Sequence, residues 1–433
     1  MSGQFRCVRA QHRTLNRPEF SVTPTHTLRM FSINHEITES YACHPGFSVP
    51  QQPLDLDASL VDRFARDYAG FCAMGALLDP ASQRAAGLEL AACVTDIFAR
   101  LRAQCSDEHE ARFVEELQQQ VGRLLRDELA WYGKPPAPHF VQLATEEQRQ
   151  CAMQLRTDCH YFGRLSASAV ATIQAAAAQT LAGLRANAAA GRLRRDDLSV
   201  NSGATVRHIR DLLNVEFKAL GALDAVSAFI GRKTKVQGLA LELSVPQATW
   251  WNNAIEGLPR PPGTLYAHVD EGISFPKSIV YLSNVDTGNG PTGCYPGAFE
   301  ALGLNPLQEL VGRVVGNVGS GTDSPLHGYY AKTYHQSTSS PGFRRHFMRL
   351  PPSMRFNSHL GWDVAPGSAL ETSLVEREKQ MTGPAGTFVV FDGARLLHRG
   401  GLIQQGERVA LQVVFSDITP VQRVMNKVRA VMQ

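Results

Sequence analysis

Apolar positions first recur at helical spacing between about Leu56 and Leu129: Leu60, Phe64 and Tyr68, then Leu90, Val94 and Leu101, then Phe113, Leu117, Val121, Leu125 and Leu129. These runs predict three amphipathic helices. Ser106, followed by Asp107, Glu108 and Glu110, puts a capping residue and acids at the start of the third, where unpaired N–H groups and the helix dipole favour them. Lys134-Pro135-Pro136-Ala137-Pro138 ends the helical texture, because proline offers no backbone donor and restricts its neighbour. An Ala-rich helix follows Ser166 to about Asn187, and helical spacing returns between Val206 and Phe229. The texture then changes. Val236 to Val245, Ser278 to Val285, Thr387 to Asp392 and Val409 to Phe415 are short Val-, Leu- and Ile-rich runs separated by Gly, Pro and Asn, and they predict strands. Helices first and strands later, with no long helices between the last strands, predict an α+β chain whose strands form a sandwich or jelly roll. Residues 1–50 read as a disordered or extended tail, 51–138 as a helical N-terminal unit, and 150–425 as a second domain with an insertion of mixed composition at about 302–382.

At 433 residues and 43% hydrophobic content the chain can bury at least one large core. Lys+Arg 43 against Asp+Glu 40 leaves a net charge of +3, too near balance for a chain that coats nucleic acid or anionic lipid. No stretch reaches the roughly 18 apolar residues that span a bilayer, since Gln174, Gln179 and Arg185 interrupt even the Ala-rich helix. Eight cysteines without a C-x-x-C pair suit reduced thiols and a cytoplasmic location. The Arg-rich start (Arg6, Arg9, Arg13, Arg17, Arg29) with Glu19 as its single acid has the composition of an organelle transit peptide as well as that of a disordered tail, and Met30 is an alternative start.

Candidate chemistry concentrates near the strands. His268 and Asp270 stand two apart, so on an extended segment both side chains share one face. The strand Thr387 to Asp392 delivers His398 into Arg399-Gly400-Gly401, and ten positions on Arg408 opens the next strand. There Arg408, Ala410, Gln412 and Val414 share one face and Val409, Leu411, Val413 and Phe415 the other. The first face leaves room for a ligand; the second suits packing on another layer. Two histidines and a carboxylate make a facial set for a divalent first-row metal with adjacent open positions, the arrangement of non-haem Fe(II) oxygenases. Taken singly, His268 and Asp270 also fit a surface pair and Arg408 a structural ion pair.

From roughly Asp158 to Ser416 the chain resembles the phytanoyl-CoA dioxygenase family of Fe(II)/2-oxoglutarate oxygenases. The residues that carry the likeness are His268-x-Asp270, the strand Ser278 to Val285, Asn289-Gly290-Pro291-Thr292, Pro296-Gly297, and His398 with Arg408, preceded by Tyr161-Phe162-Gly163 and Leu165-Ser166. The resemblance implies a double-stranded β-helix (jelly-roll) catalytic core with flanking helices. It also implies Fe(II) on His268, Asp270 and His398, with 2-oxoglutarate chelating the metal and its far carboxylate on Arg408. O2 would be the second co-substrate, with succinate and CO2 released as a C–H bond of a small or medium organic substrate is hydroxylated. Asp270 favours hydroxylation, since halogenating relatives carry a small residue there. The loaded site is charge-neutral, because the metal and Arg408 balance Asp270 and a dicarboxylic keto acid, which a buried site tolerates best. The chain departs from the family at Ala298-Phe299, where relatives carry Ser-His, and at Gly400, where many carry a hydroxyl, so a second 2-oxoglutarate anchor is unassigned.

Tyr266, Trp251 and Arg399 are candidate substrate-lining residues; Trp250 and Trp251 suit a core equally. Arg344, Arg345 and His346 read as a solvated basic turn. Gly316 to Gly321 lacks the Lys-Ser/Thr of a phosphate loop, no H-E-x-x-H is present, and Cys294 reads as a buried thiol. Two other functions fit the same residues: a silent jelly-roll module that binds metal or ligand without turnover, and a zinc hydrolase, which has no need of Arg408.

Overall fold

The computed structural model describes residues 52–134, 145–246, 267–270, 276–316, 318, 341–358, 360, 364, 367–401 and 403–416. The proline-rich connector predicted at 134–138 lies outside them beyond Lys134, as do Trp250, Trp251 and Tyr266.

The three N-terminal helices are α1 (Ala58–Met74), α2 (Pro80–Arg102) and α3 (Glu108–Tyr132). Each is capped by an aspartate, Asp57, Asp79 and Asp107, whose carboxylate accepts backbone N–H groups of the first turn. The cap of α3 is therefore Asp107 and not Ser106. Asp107 immediately precedes the first helical residue and accepts from Glu110 N at 2.8 Å, while Ser106 donates from its own backbone N–H and hydroxyl to the Glu110 carboxylate.

Next come α4 (Glu146–Thr157), β1 (His160–Arg164), α5 (Ala167–Ala189), α6 (Arg195–Leu198), β2 (Ser199–Val200), α7 (Ala204–Ala219), α8 (Ala222–Ile230) and β3 (Lys235–Ser244). Helical spacing between Val206 and Phe229 hides a break: Gly221, at φ 73°, stops α7 and starts α8 in a left-handed conformation that glycine adopts at little cost. The chain continues with β4 (Lys277–Tyr281), β5 (Thr292–Cys294), α9 (Ala298–Leu302), α10 (Pro306–Val315), α11 (Pro341–Arg349), α12 (Ala369–Arg377), β6 (Lys379–Met381), β7 (Thr387–Phe391), β8 (His398–Arg399) and β9 (Arg408–Ser416). Arg344, Arg345 and His346 thus lie on helix α11, where the His346 ring stacks on Phe113 and Arg345 reaches Asp107 at 3.7 Å.

The strands form a six-stranded sheet, β1-β7-β4-β9-β3-β2, and a three-stranded sheet, β6-β5-β8, with every pairing antiparallel. Mixed helix and antiparallel sheet is what the texture of the sequence predicts. The alternation read on β9 decides how the layers stack. Val409, Leu411, Val413 and Phe415 join Ile173, Leu181, Ile209, Leu213 and Phe217 of α5 and α7 in a core outside the large sheet. Ala410 faces the other way, into a smaller core that takes Tyr281, Val389 and Phe391 from the large sheet and Cys294 and Met381 from the small one.

A third core joins α1–α3 to the segment at about 302–382. Phe64, Phe98, Leu117 and Val121 share it with Leu310, Val311, Phe347, Phe356 and Leu374, and also with Ala267 and Val269. Inside this layer Glu128 of α3 pairs with Arg313 of α10 at 2.7 Å, with side chains only 1% and 5% exposed, and Tyr68 donates to the same carboxylate at 3.3 Å. Among the described residues no helix is long and apolar enough to cross a membrane.

Candidate metal centre

Residues 267–270 run as an extended segment held on both edges. His268 exchanges both backbone hydrogen bonds with His398 at 2.9 Å, Asp270 N donates to Gly393 O at 2.7 Å, and Val269 N donates to Ser358 O at 2.8 Å. Ala267 and Val269 point into the helical core, so His268 and Asp270 point the opposite way, as their spacing predicts. The backbone pairing also sets the two histidines opposite each other, with ring centroids 4.3 Å apart. Asp270 Oδ1 lies 3.9 Å from His268 Nε2 and 3.6 Å from His398 Nε2, and one ligand atom from each of the three residues lies within 4.8 Å of the others.

The donor set fits a metal ion. His398 Nδ1 lies 2.8 Å from Leu396 O. A carbonyl only accepts, so Nδ1 carries the proton and Nε2 keeps its lone pair. That Nε2 is buried and makes no hydrogen bond, a costly arrangement unless a cation claims it. Burial and the neighbouring His268 and Lys277 push the His398 pKa well below the usual value, keeping the ring neutral. Burial works against the Asp270 charge, but Lys277, His398 and His268 overcome it, and its pKa falls below the usual carboxylate range. A neutral His398 imidazole and an ionised Asp270 carboxylate, with the His268 ring beside them, are donors that a divalent first-row metal takes.

Arg408 is buried on the same side of the large sheet. One of its terminal nitrogens donates to Gly290 O and the other lies 3.4 Å from Ser244 Oγ, while Nε makes no hydrogen bond. Among the described residues no carboxylate pairs with it. His268, His398, Lys277, Thr292, Phe391 and Arg408 open onto one cavity. Thr292 and Gly290 belong to the motif read before the insertion. Arg399 lines the cavity too, but Glu378 holds its guanidinium through bonds of 2.7 and 2.8 Å. Cys294 is a fully buried thiol, its pKa pushed up to about 12 by burial first and Glu378 second.

Sequence reasoning missed Lys277, Gly393 and Glu378. Lys277 had one signal: a cation heading an apolar strand, in phase with Ile279 and Tyr281. Gly393 had none, because its role is spatial. A methyl group on its Cα would overlap the Asp270 carboxylate and crowd Lys277. Gly393→Ala is expected to weaken metal binding more than about tenfold, in line with overpacking costs of about 1–3 kcal/mol. Circular dichroism should stay native. Unchanged metal affinity in a calorimetric titration would show that the loop absorbs the methyl.

No protein-family model matches the chain, and no curated protein matches it. Among solved structures it is similar to AviO1 from Streptomyces viridochromogenes Tue57, at 15% identity over 63% of this chain and 96% of that one, with a TM-score of 0.34. It is also similar to SnoN, a non-haem α-ketoglutarate-dependent epimerase from nogalamycin biosynthesis, at 13% identity over 63% and 84% of the two chains, with a TM-score of 0.30. A third is EctD from S. alaskensis, solved with 2-oxoglutarate and 5-hydroxyectoine, at 14% identity over 63% and 76%, with a TM-score of 0.34. At TM-scores this low, the site itself has to carry the functional reading.

Proposed function

We propose that this chain is an Fe(II)- and 2-oxoglutarate-dependent oxygenase that hydroxylates a C–H bond of a small organic molecule on a double-stranded β-helix core of the phytanoyl-CoA dioxygenase type. One observation carries the reading: His268 and His398, whose ligand atoms lie within 4.8 Å of an Asp270 carboxylate oxygen, open together with Arg408 onto a single cavity between the sheets, and among the described residues no carboxylate pairs with Arg408. Iron(II) held by the three ligands would supply dioxygen activation, coupling decarboxylation of 2-oxoglutarate to succinate with oxidation of the substrate. The rest falls to the chain. Arg408 keeps its charge when desolvated and can offer parallel donors to the far carboxylate of the keto acid. Ile279, Phe391 and Ala410 give the cavity its apolar lining, which limits water at the reacting groups. Arg195 and Glu242, 3.6 Å apart, also line the cavity and are candidate substrate contacts beside Arg399. Localisation in the cytoplasm and a small-molecule partner are parts of the same proposal.

Anaerobic addition of Fe(II) and 2-oxoglutarate is expected to give a weak visible charge-transfer band that His268→Ala abolishes. In Arg408→Met the band should need about thirtyfold more keto acid, matching the 2 kcal/mol or more that a lost buried charge pair costs. A folded wild-type protein with no band would overturn the reading. A silent binding module would show the band and form no succinate; a zinc hydrolase would retain zinc through anaerobic preparation and ignore 2-oxoglutarate.

A further inference from the structure

Lys277 holds the carboxylate that the metal needs. Its Nζ lies 2.7 Å from Asp270 Oδ1 and 2.6 Å from Oδ2, and both side chains are 13% exposed. The root of the side chain is fixed, because Lys277 opens β4 and pairs with Phe391 on one side and Val414 on the other. The ammonium also sits 5.2 Å from the centre of the Phe391 ring, a contact that favours a cation. A divalent ion ligated by Asp270 takes an oxygen that Lys277 now holds. Two cations then share one carboxylate where solvent screening is weak. An anion placed beside both relieves that repulsion, and Lys277 faces the cavity in which the keto acid is proposed to bind.

Resting on the proposed reading of the site, we infer that Lys277 couples metal and co-substrate binding: it weakens capture of the bare metal and strengthens capture of a carboxylate that reaches the metal, so the two load together. Lys277 is a positioning residue that acts through Asp270 and through the metal-proximal carboxylate of the ligand. Arg408 reads the distal carboxylate, so the two cations have separable roles. A site that takes little iron before its keto acid arrives also spends little time holding reactive iron without a reductant.

The test is calorimetric titration of the full chain with Mn(II), alone and with saturating 2-oxoglutarate or oxalate, which chelates a metal but has no distal carboxylate. Wild type is expected to bind Mn(II) at least tenfold more tightly with either anion. Lys277→Met should bind Mn(II) alone at least tenfold more tightly than wild type and lose most of the enhancement by both anions, whereas Lys277→Arg keeps it. Arg408→Met should retain the enhancement by oxalate unchanged and reach that by 2-oxoglutarate only at about thirtyfold higher concentration of the keto acid. If Lys277→Met binds bare Mn(II) no better than wild type, or shows the full enhancement, the inference is wrong; Lys277→Gln repeats the comparison should the methionine variant fail to fold. Mn(II) binding that His268→Ala leaves unchanged would instead overturn the reading of the site itself.

Discussion

Replacing His398 by alanine should leave a folded protein that neither retains iron nor forms succinate, with a loss of turnover beyond about a thousandfold. That is roughly 4 kcal/mol at 1.36 kcal/mol per decade. The separation of folding from chemistry follows from how His398 is built in. Its backbone N–H and carbonyl pair with His268, and alanine keeps both bonds. Its ring contributes one hydrogen bond, to Leu396 O, and a buried Nε2 with no hydrogen-bond partner. Deleting the ring therefore removes a ligand and a desolvated polar atom together, so the stability cost is partly offset. Metal content by elemental analysis and substrate-free succinate formation are the measurements. An alanine variant that keeps stoichiometric iron would place the metal elsewhere.

The largest effect on stability is expected in the helical layer. Arg313→Met strands the Glu128 carboxylate, 1% exposed, with the Tyr68 hydroxyl as its remaining hydrogen-bond partner at 3.3 Å. Breaking a buried pair from one side typically costs about 3–5 kcal/mol. The double variant Glu128→Leu/Arg313→Met removes both charges and should recover most of that loss, because an apolar pair avoids the desolvation penalty the ions incur. Urea unfolding of the two variants checks both statements; a single variant within about 1 kcal/mol of wild type would mean that water or neighbouring groups solvate Glu128.

Legibility in the sequence tracked the range of the physical signal. Parity is local, so the shared face of His268 and Asp270 and the two faces of β9 can be read directly, and the structure places them so. The Ala-rich helix after Ser166 was equally plain because its cap and its period agree. The three-stranded sheet was not legible: β5, β6 and β8 have two or three residues each, too few to show any period. Nor could patterning show that the segment at about 302–382 shares a core with α1–α3, since that contact joins Glu128 to Arg313, 185 positions apart, and Phe113 to His346, further still. Lys277 and Gly393 were missed for a related reason. Both act on Asp270 through space, and neither residue type announces that role.

The pairing of His268 with His398 has one more consequence. The two residues bracket the segment at about 302–382, and two backbone bonds and a ring contact join them. A metal ligated from both sides would cross-link the ends of that long loop much as a disulfide does, removing freedom that the unfolded chain otherwise enjoys. The ion would then be a folding element as well as a reagent, a clasp that makes persistence of the helical layer depend on the supply of a trace nutrient.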